Sequence, residues 1–222
     1  MTICTNCKKE FKNRASEFCS ISCGENFLQN LSDEESNYTS DYVIDKLISL
    51  NFKCITESES KVFEFINKIK NKEHTILLFN NAHMRDTIVT EFFDKSKNNI
   101  FTACFAHNTI KYNCDKTITY NELTDNQVLL TNKIGDFLVD VLDKTYPDDF
   151  PRICCEDTSW FSEAGFFEEH QKFGSEINKK IIDESAILCC YDSSKLNPKQ
   201  LNIVLDSRDF IILDEPLSVF RR

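Results

Sequence analysis

The sequence predicts an α/β protein with a mainly parallel sheet and helices on both faces, preceded by a small N-terminal zinc finger. Three observations predict it. From His74 onward, short apolar runs alternate with stretches of helical periodicity, the pattern of strands buried on both faces and joined by helical crossovers. Before that, four cysteines fall in two closely spaced pairs, in a span too short to build an apolar core of its own. Finally, the 222 residues are 41% hydrophobic and 28% charged, ordinary globular usage with room for one sizeable domain and an appendage.

The first element is the finger, residues 1–30. Cys4-x2-Cys7, eleven residues, then Cys19-x3-Cys23 supplies two thiolate pairs, and a tight knuckle can turn both sulfurs of a pair to one ion. Four thiolates leave no open coordination position, so the expected cofactor is structural Zn2+; reduced surface thiols or another metal such as iron are the alternatives. Lys8, Lys9, Lys12 and Arg14 lie between the pairs, either as an ordinary solvated face or as contacts for phosphate. Residues 31–41 are polar and acidic without apolar periodicity and read as a linker, which makes 42–222 the main domain.

Tyr42 to Leu50 and Ser60 to Lys70 carry apolar residues at helical spacing and predict two surface helices. Thr75 to Phe79 predicts a buried strand, about Met84 to Lys95 a helix, and Ile100 to Phe105 a second strand. Lys111 to Leu130 suits two short strands around a loop. A helix is expected from about Asn132 to Lys144, a strand at Ile153 to Cys155, helical structure between Phe161 and Ile182, and a strand from Ala186 to Tyr191. Asn197-Pro198 is a helix start, because Asn can cap free amides and Pro tolerates the first helical position. Phe210 to Leu213 predicts the last strand.

Several function classes lose support. With 36 acidic and 26 basic residues the net charge is −10, which argues against broad nucleic-acid binding by the main domain and leaves the finger as the only route to nucleic acid. The four glycines form neither a phosphate loop nor a dinucleotide fingerprint, and there is no Gly-x-Ser-x-Gly elbow or His-Glu-x2-His helix. No apolar run approaches the roughly 18 residues that span a bilayer. The N-terminus lacks the regions of a secretory signal, so a cytoplasmic protein is expected. The seven cysteines outside the finger pairs sit mostly among apolar residues and read as reduced core thiols.

Open parallel sheets bind ligands outside the carboxyl ends of their strands. His83, Arg85, Asp157, Trp160 and Asp192 each follow an apolar run closely, and are the candidate ligand-binding residues. Each has a plainer role available: a cap or loop position for His83 and Arg85, helix capping for the acids, and a packing anchor for Trp160. An enzyme would use Asp157 and Asp192 with His83, a set without a recognised nucleophile.

Cys4-Thr-Asn-Cys7-Lys-Lys-Glu-Phe11 followed by Phe18-Cys19-Ser20-Ile-Ser-Cys23 resembles small treble-clef zinc fingers. From His74 to about Pro216 the chain resembles the MEDS sensory domain, itself distantly like the RecA-type α/β fold. That likeness rests on His74-Thr-Ile-Leu-Leu-Phe79, Asp157-Thr-Ser-Trp160, Cys189-Cys-Tyr-Asp192, Leu196-Asn-Pro198 and Asp209-Phe-Ile-Ile-Leu213. The chain departs from the family after Trp160, where a Tyr-Glu pair is usual and Glu168, Glu169 and His170 stand instead, so no ligand contact carries over from that helix. The resemblance implies a RecA-like sheet without its phosphate loop, and a non-catalytic sensor or adaptor in signal transduction. Its α/β domain would bind a small molecule or a protein, and the finger would dock a partner.

Overall fold

The computed structural model describes residues 2–3, 10–11, 40–70, 72–94, 100–108, 112–145 and 149–222. Cys4, Cys7, Cys19 and Cys23, the finger's basic residues, and linker residues 31–39 lie outside the described residues. Thr2–Ile3 (β1) and Glu10–Phe11 (β2) pair antiparallel, Thr2 opposite Phe11 and Ile3 opposite Glu10.

The main domain opens with Ser40–Ser49 (α1), two residues earlier than its apolar pattern, because Ser40 and Asp41 join the first turn. Lys53–Thr56 (β3) and Glu59–Asn67 (α2) follow, then His74–Phe79 (β4), Ala82–Phe92 (α3) and Thr102–Ala106 (β5). Next come Lys116–Thr119 (β6), a 3-10 turn at Tyr120–Leu123, and the small pair Thr124–Asp125 (β7) and Val128–Leu129 (β8). Thr131–Asp143 (α4), Arg152–Cys155 (β9), Trp160–Glu163 (α5) and Phe167–Ile181 (α6) lead to Ala186–Asp192 (β10). Pro198–Asp206 (α7), Phe210–Asp214 (β11) and Leu217–Arg221 (β12) complete the chain.

Among the described residues the main sheet has eight strands in the order β3-β12-β11-β4-β10-β9-β5-β6. The six from β11 to β6 are parallel, and β12 and β3 add an antiparallel edge. That edge has no clear signature in the sequence: β3 is mostly exposed, so its side chains show no apolar alternation. The helical structure expected between Phe161 and Ile182 is divided into two helices, α5 and α6. Gly165, at φ +79, adopts the left-handed conformation that ends α5, and Phe166 N–H closes the turn on the Phe161 carbonyl at 2.7 Å.

Successive side chains of a strand point to opposite faces, so each buried strand feeds two cores. Ile76, Leu78, Ala103, Phe105, Ile153, Ile187 and Cys189 face the layer containing α1, α4, α6 and α7. Leu77, Phe79, Cys104, Cys154, Leu188 and Cys190 face the layer of α2 and α3. Helices therefore cover both faces. All seven described cysteines are free, and six lie in or near these cores, but Cys54 on edge strand β3 is exposed.

Arg152 joins the second layer to the sheet. It is buried at the start of β9, and its guanidinium donates to the carbonyls of Phe92 (2.7 Å) and Asn67 (2.6 Å), the last residues of α3 and α2. A cation at two helix C-termini meets the negative ends of both macrodipoles. Burial pulls its pKa down, opposed by the charge of Asp94.

Candidate functional site at the carboxyl rim

The chain leaves β4 into α3 on one face of the sheet and leaves the adjacent β10 toward α7 on the other. This is the topological switch point, where an open α/β sheet forms its crevice. Here the crevice is held shut by the chain's own groups. The Ser193 hydroxyl donates to Asn80 Oδ1 across it. Asp214, at the end of β11, accepts the amides of Asn80 (2.9 Å) and Asn81 (2.8 Å) on a single oxygen. Asn81 caps α3 by accepting the amides of His83 (2.9 Å) and Met84 (3.3 Å). The amides that would greet a phosphate at such a helix start thus already hold oxygens from the protein. Burial raises the Asp214 pKa despite these hydrogen bonds.

One strand over, the loop after β9 builds a charged cluster. Asp157, with 3% of its side chain exposed, accepts Lys195 Nζ at 2.8 Å on Oδ2. His107 Nε2 lies 3.4 Å from the same oxygen, and the Ser159 hydroxyl donates to Oδ1. Lys195 also reaches Glu163 at 3.0 Å. Burial alone would raise the Asp157 pKa; the bonds from Lys195, Ser159 and His107 outweigh it and hold the carboxyl below its ordinary value.

Below the charges lies an aromatic floor. Tyr120 is fully buried, its phenol oxygen accepts the Asp157 amide at 3.0 Å, and its ring stacks on Trp160 at 5.0 Å and 17°. His107 meets the same ring edge-on at 4.9 Å. Neighbouring Glu156 accepts the His107 amide at 3.0 Å.

The cluster contains a serine, a histidine and an aspartate, but it is not wired as a catalytic triad. A triad passes its hydrogen bonds from serine to histidine to aspartate. Here Ser159 and His107 both address Asp157, and Ser159 Oγ also accepts the Asp192 amide at 3.2 Å, so no base faces the hydroxyl.

Of the residues singled out from sequence, Asp157, Trp160 and Asp192 meet in this cluster, linked through Ser159 and Tyr120. Asp192 caps the Ser193–Lys195 turn, accepting Ser194 N at 3.0 Å and Ser194 Oγ at 2.6 Å. Arg85 lies on the α3 side: it is buried over the Phe79 ring and paired with Asp86 at 2.8 Å, which also accepts the Tyr112 hydroxyl at 2.7 Å. Burial would lower the Arg85 pKa, but these partners raise it. His83 is exposed in the first turn of α3, and its bonds to Asn81 and Thr87 run through its backbone.

Sequence reasoning passed over His107, Tyr120, Lys195 and Asp214. His107 and Asp214 directly follow apolar runs, so the same strand-end rule that selected Asp157 would have found them. Lys195 and Tyr120 had no such signal, since their roles depend on partners 38 and 37 positions away.

Among the described residues no group of three or more His, Cys, Asp or Glu is arranged to hold a metal ion, and no helix is long and apolar enough to cross a membrane. No protein-family model and no curated protein matches the chain.

Proposed function

We propose that the protein is a non-catalytic sensor or adaptor of the MEDS type. Its RecA-like α/β domain recognises a small molecule or a protein partner, and its four-cysteine zinc finger serves as the docking module. The observation that carries the reading is the placement of Asp214 and Asn81 on four consecutive or near-consecutive amides at the start of α3. A nucleotide-hydrolysing relative of this sheet needs those amides and a lysine for the phosphates. This chain puts a carboxylate there instead, which repels an anion and fixes the turn. The saturated cluster around Asp157 also supports recognition over catalysis, since its serine lacks a base.

The pairing of β1 with β2 supports the finger, because these strands flank Cys4-x2-Cys7 and return the chain on itself as a zinc knuckle requires. Cys4, Cys7, Cys19 and Cys23 would hold the ion. A closed tetrathiolate site supplies folding free energy and no reaction chemistry.

The test is phosphate release from the full chain with ATP and Mg2+, alongside an Asp157→Asn variant. The expected result is no release above the blank from either. Turnover by the wild type that disappears in the variant would overturn the non-catalytic reading.

A further inference from the structure

A second constellation lies in the core on the α4 and α6 side of the sheet. Cys155 of β9 and Cys189 of β10 are direct partners in the parallel register and face the same way. Neighbouring strands run about 4.8 Å apart, within the Cα separation that a disulfide spans. His74 of β4, on the other flank of β10, places Nε2 3.0 Å from Cys189 Sγ. All three line an apolar cavity of about 80 Å³ walled by Phe105, Phe161 and His170. That volume admits a molecule of a few heavy atoms. His74 also lines a polar surface groove of about 240 Å³ with Lys72, Arg208 and Arg222, so the imidazole is shared between the groove and the cavity.

We propose that Cys189 and Cys155 are a peroxide-reactive thiol pair: a small hydroperoxide in the cavity oxidises Cys189, and Cys155 resolves it to a disulfide between β9 and β10. The chemistry balances with groups already present. His74 takes the Cys189 proton, and the thiolate attacks the terminal peroxide oxygen. The O–O bond breaks, the alkoxide or hydroxide leaving group takes the proton back from His74, and Cys189 becomes a sulfenic acid. The Cys155 sulfur then attacks Cys189 Sγ, the S–O bond breaks, and the Cys155 proton leaves with the hydroxyl as water. In sum, two thiols and one hydroperoxide give one disulfide, one alcohol or water, and one further water. A dithiol reductant reverses the step by thiol–disulfide exchange.

The division of roles follows from the electrostatics. The hydrogen bond from Cys155 pulls the Cys189 thiol well below its ordinary pKa against the cost of burial, with His74 and Arg208 adding to the effect. Cys155 is pushed correspondingly up. The nucleophile is thus the thiolate and the resolver the thiol. The opposite face of the sheet provides an internal contrast. Cys154 and Cys190 stand 4.0 Å apart, fully buried, and burial raises both pKa values.

The experiment treats the full chain with equimolar hydrogen peroxide, alkylates the remaining thiols under denaturing conditions and maps tryptic peptides by mass. The expected product is a cross-link between peptides 153–172 and 181–195, assigned by fragmentation to Cys155 and Cys189. Cys189→Ala should abolish it. Cys155→Ala should stop the reaction at a Cys189 sulfenic acid, captured by a 1,3-diketone probe. His74→Phe should slow the oxidation about a hundredfold, because it removes the group that takes the Cys189 proton and returns it to the leaving oxygen. The wild-type map needs no variant to fold: absence of the cross-link from oxidised, folded protein overturns the proposal. So does a cross-link assigned to Cys154 and Cys190, or one that survives in Cys189→Ala.

Discussion

Replacing Lys195 with methionine removes the cation from a carboxylate that has 3% of its surface exposed. Breaking a buried pair from one side costs about 3–5 kcal/mol, because the remaining charge stays buried. Lys195 keeps 27% of its side chain in solvent, and Asp157 retains Ser159 and His107, so the expected loss falls to about 2–3 kcal/mol. Asp157→Asn should cost a similar amount, and the double variant should fall short of the sum by about 2 kcal/mol, the coupling of the pair. Urea unfolding of the four proteins at pH 7 measures it. The sign of the pH dependence is fixed by the direction of each shift. The Asp157 pKa is depressed, so its contribution is complete above the unfolded value near pH 4 and is lost as pH falls through the lower folded value. In Lys195→Met the depression relaxes and Asp157 protonates earlier, so the gap to wild type narrows as pH falls below about 4. Lys195 has a raised pKa, its two carboxylate partners outweighing burial, so its contribution is lost as pH rises through that folded value. A coupling under about 0.5 kcal/mol, or a gap that does not change with pH, would refute the account of the cluster.

Arg152→Met should cost about 3 kcal/mol, since it leaves the buried carbonyls of Asn67 and Phe92 without their charged donor, at about 1–3 kcal/mol each. Tm should fall by roughly 6–12 °C, and a loss under about 2 °C would show that other donors replace the guanidinium. Zinc should be bound at one ion per chain in protein purified without added metal, and its removal should unfold the finger. A ratio near zero, with Cys4, Cys7, Cys19 and Cys23 freely alkylated and the segment still ordered, would refute the finger.

The buried strands were legible because their runs are continuous: Thr75 to Phe79 and Ala186 to Tyr191 need no partner to announce themselves. The start of α7 was equally local. Asn197 accepts Gln200 N at 2.9 Å and Gln200 returns the bond, while Pro198 takes the first helical position. The antiparallel edge pairing of β12 with β3 was not legible, since the two strands come from opposite ends of the main domain and β3 is mostly exposed.

The sequence by itself therefore determined the α/β class, the main buried strands and helices, and the line of polar residues at the strand ends, because each depends on a residue and its near neighbours. Only the tertiary structure decided what those polar residues do. Asp214 reaches the amides of Asn80 and Asn81 across 134 and 133 positions, Lys195 meets Asp157 across 38, and His74 meets Cys189 across 115. Such pairings follow from strand order and register, and a charge or a thiol acquires its chemistry from whichever neighbour the sheet places within about 3 Å.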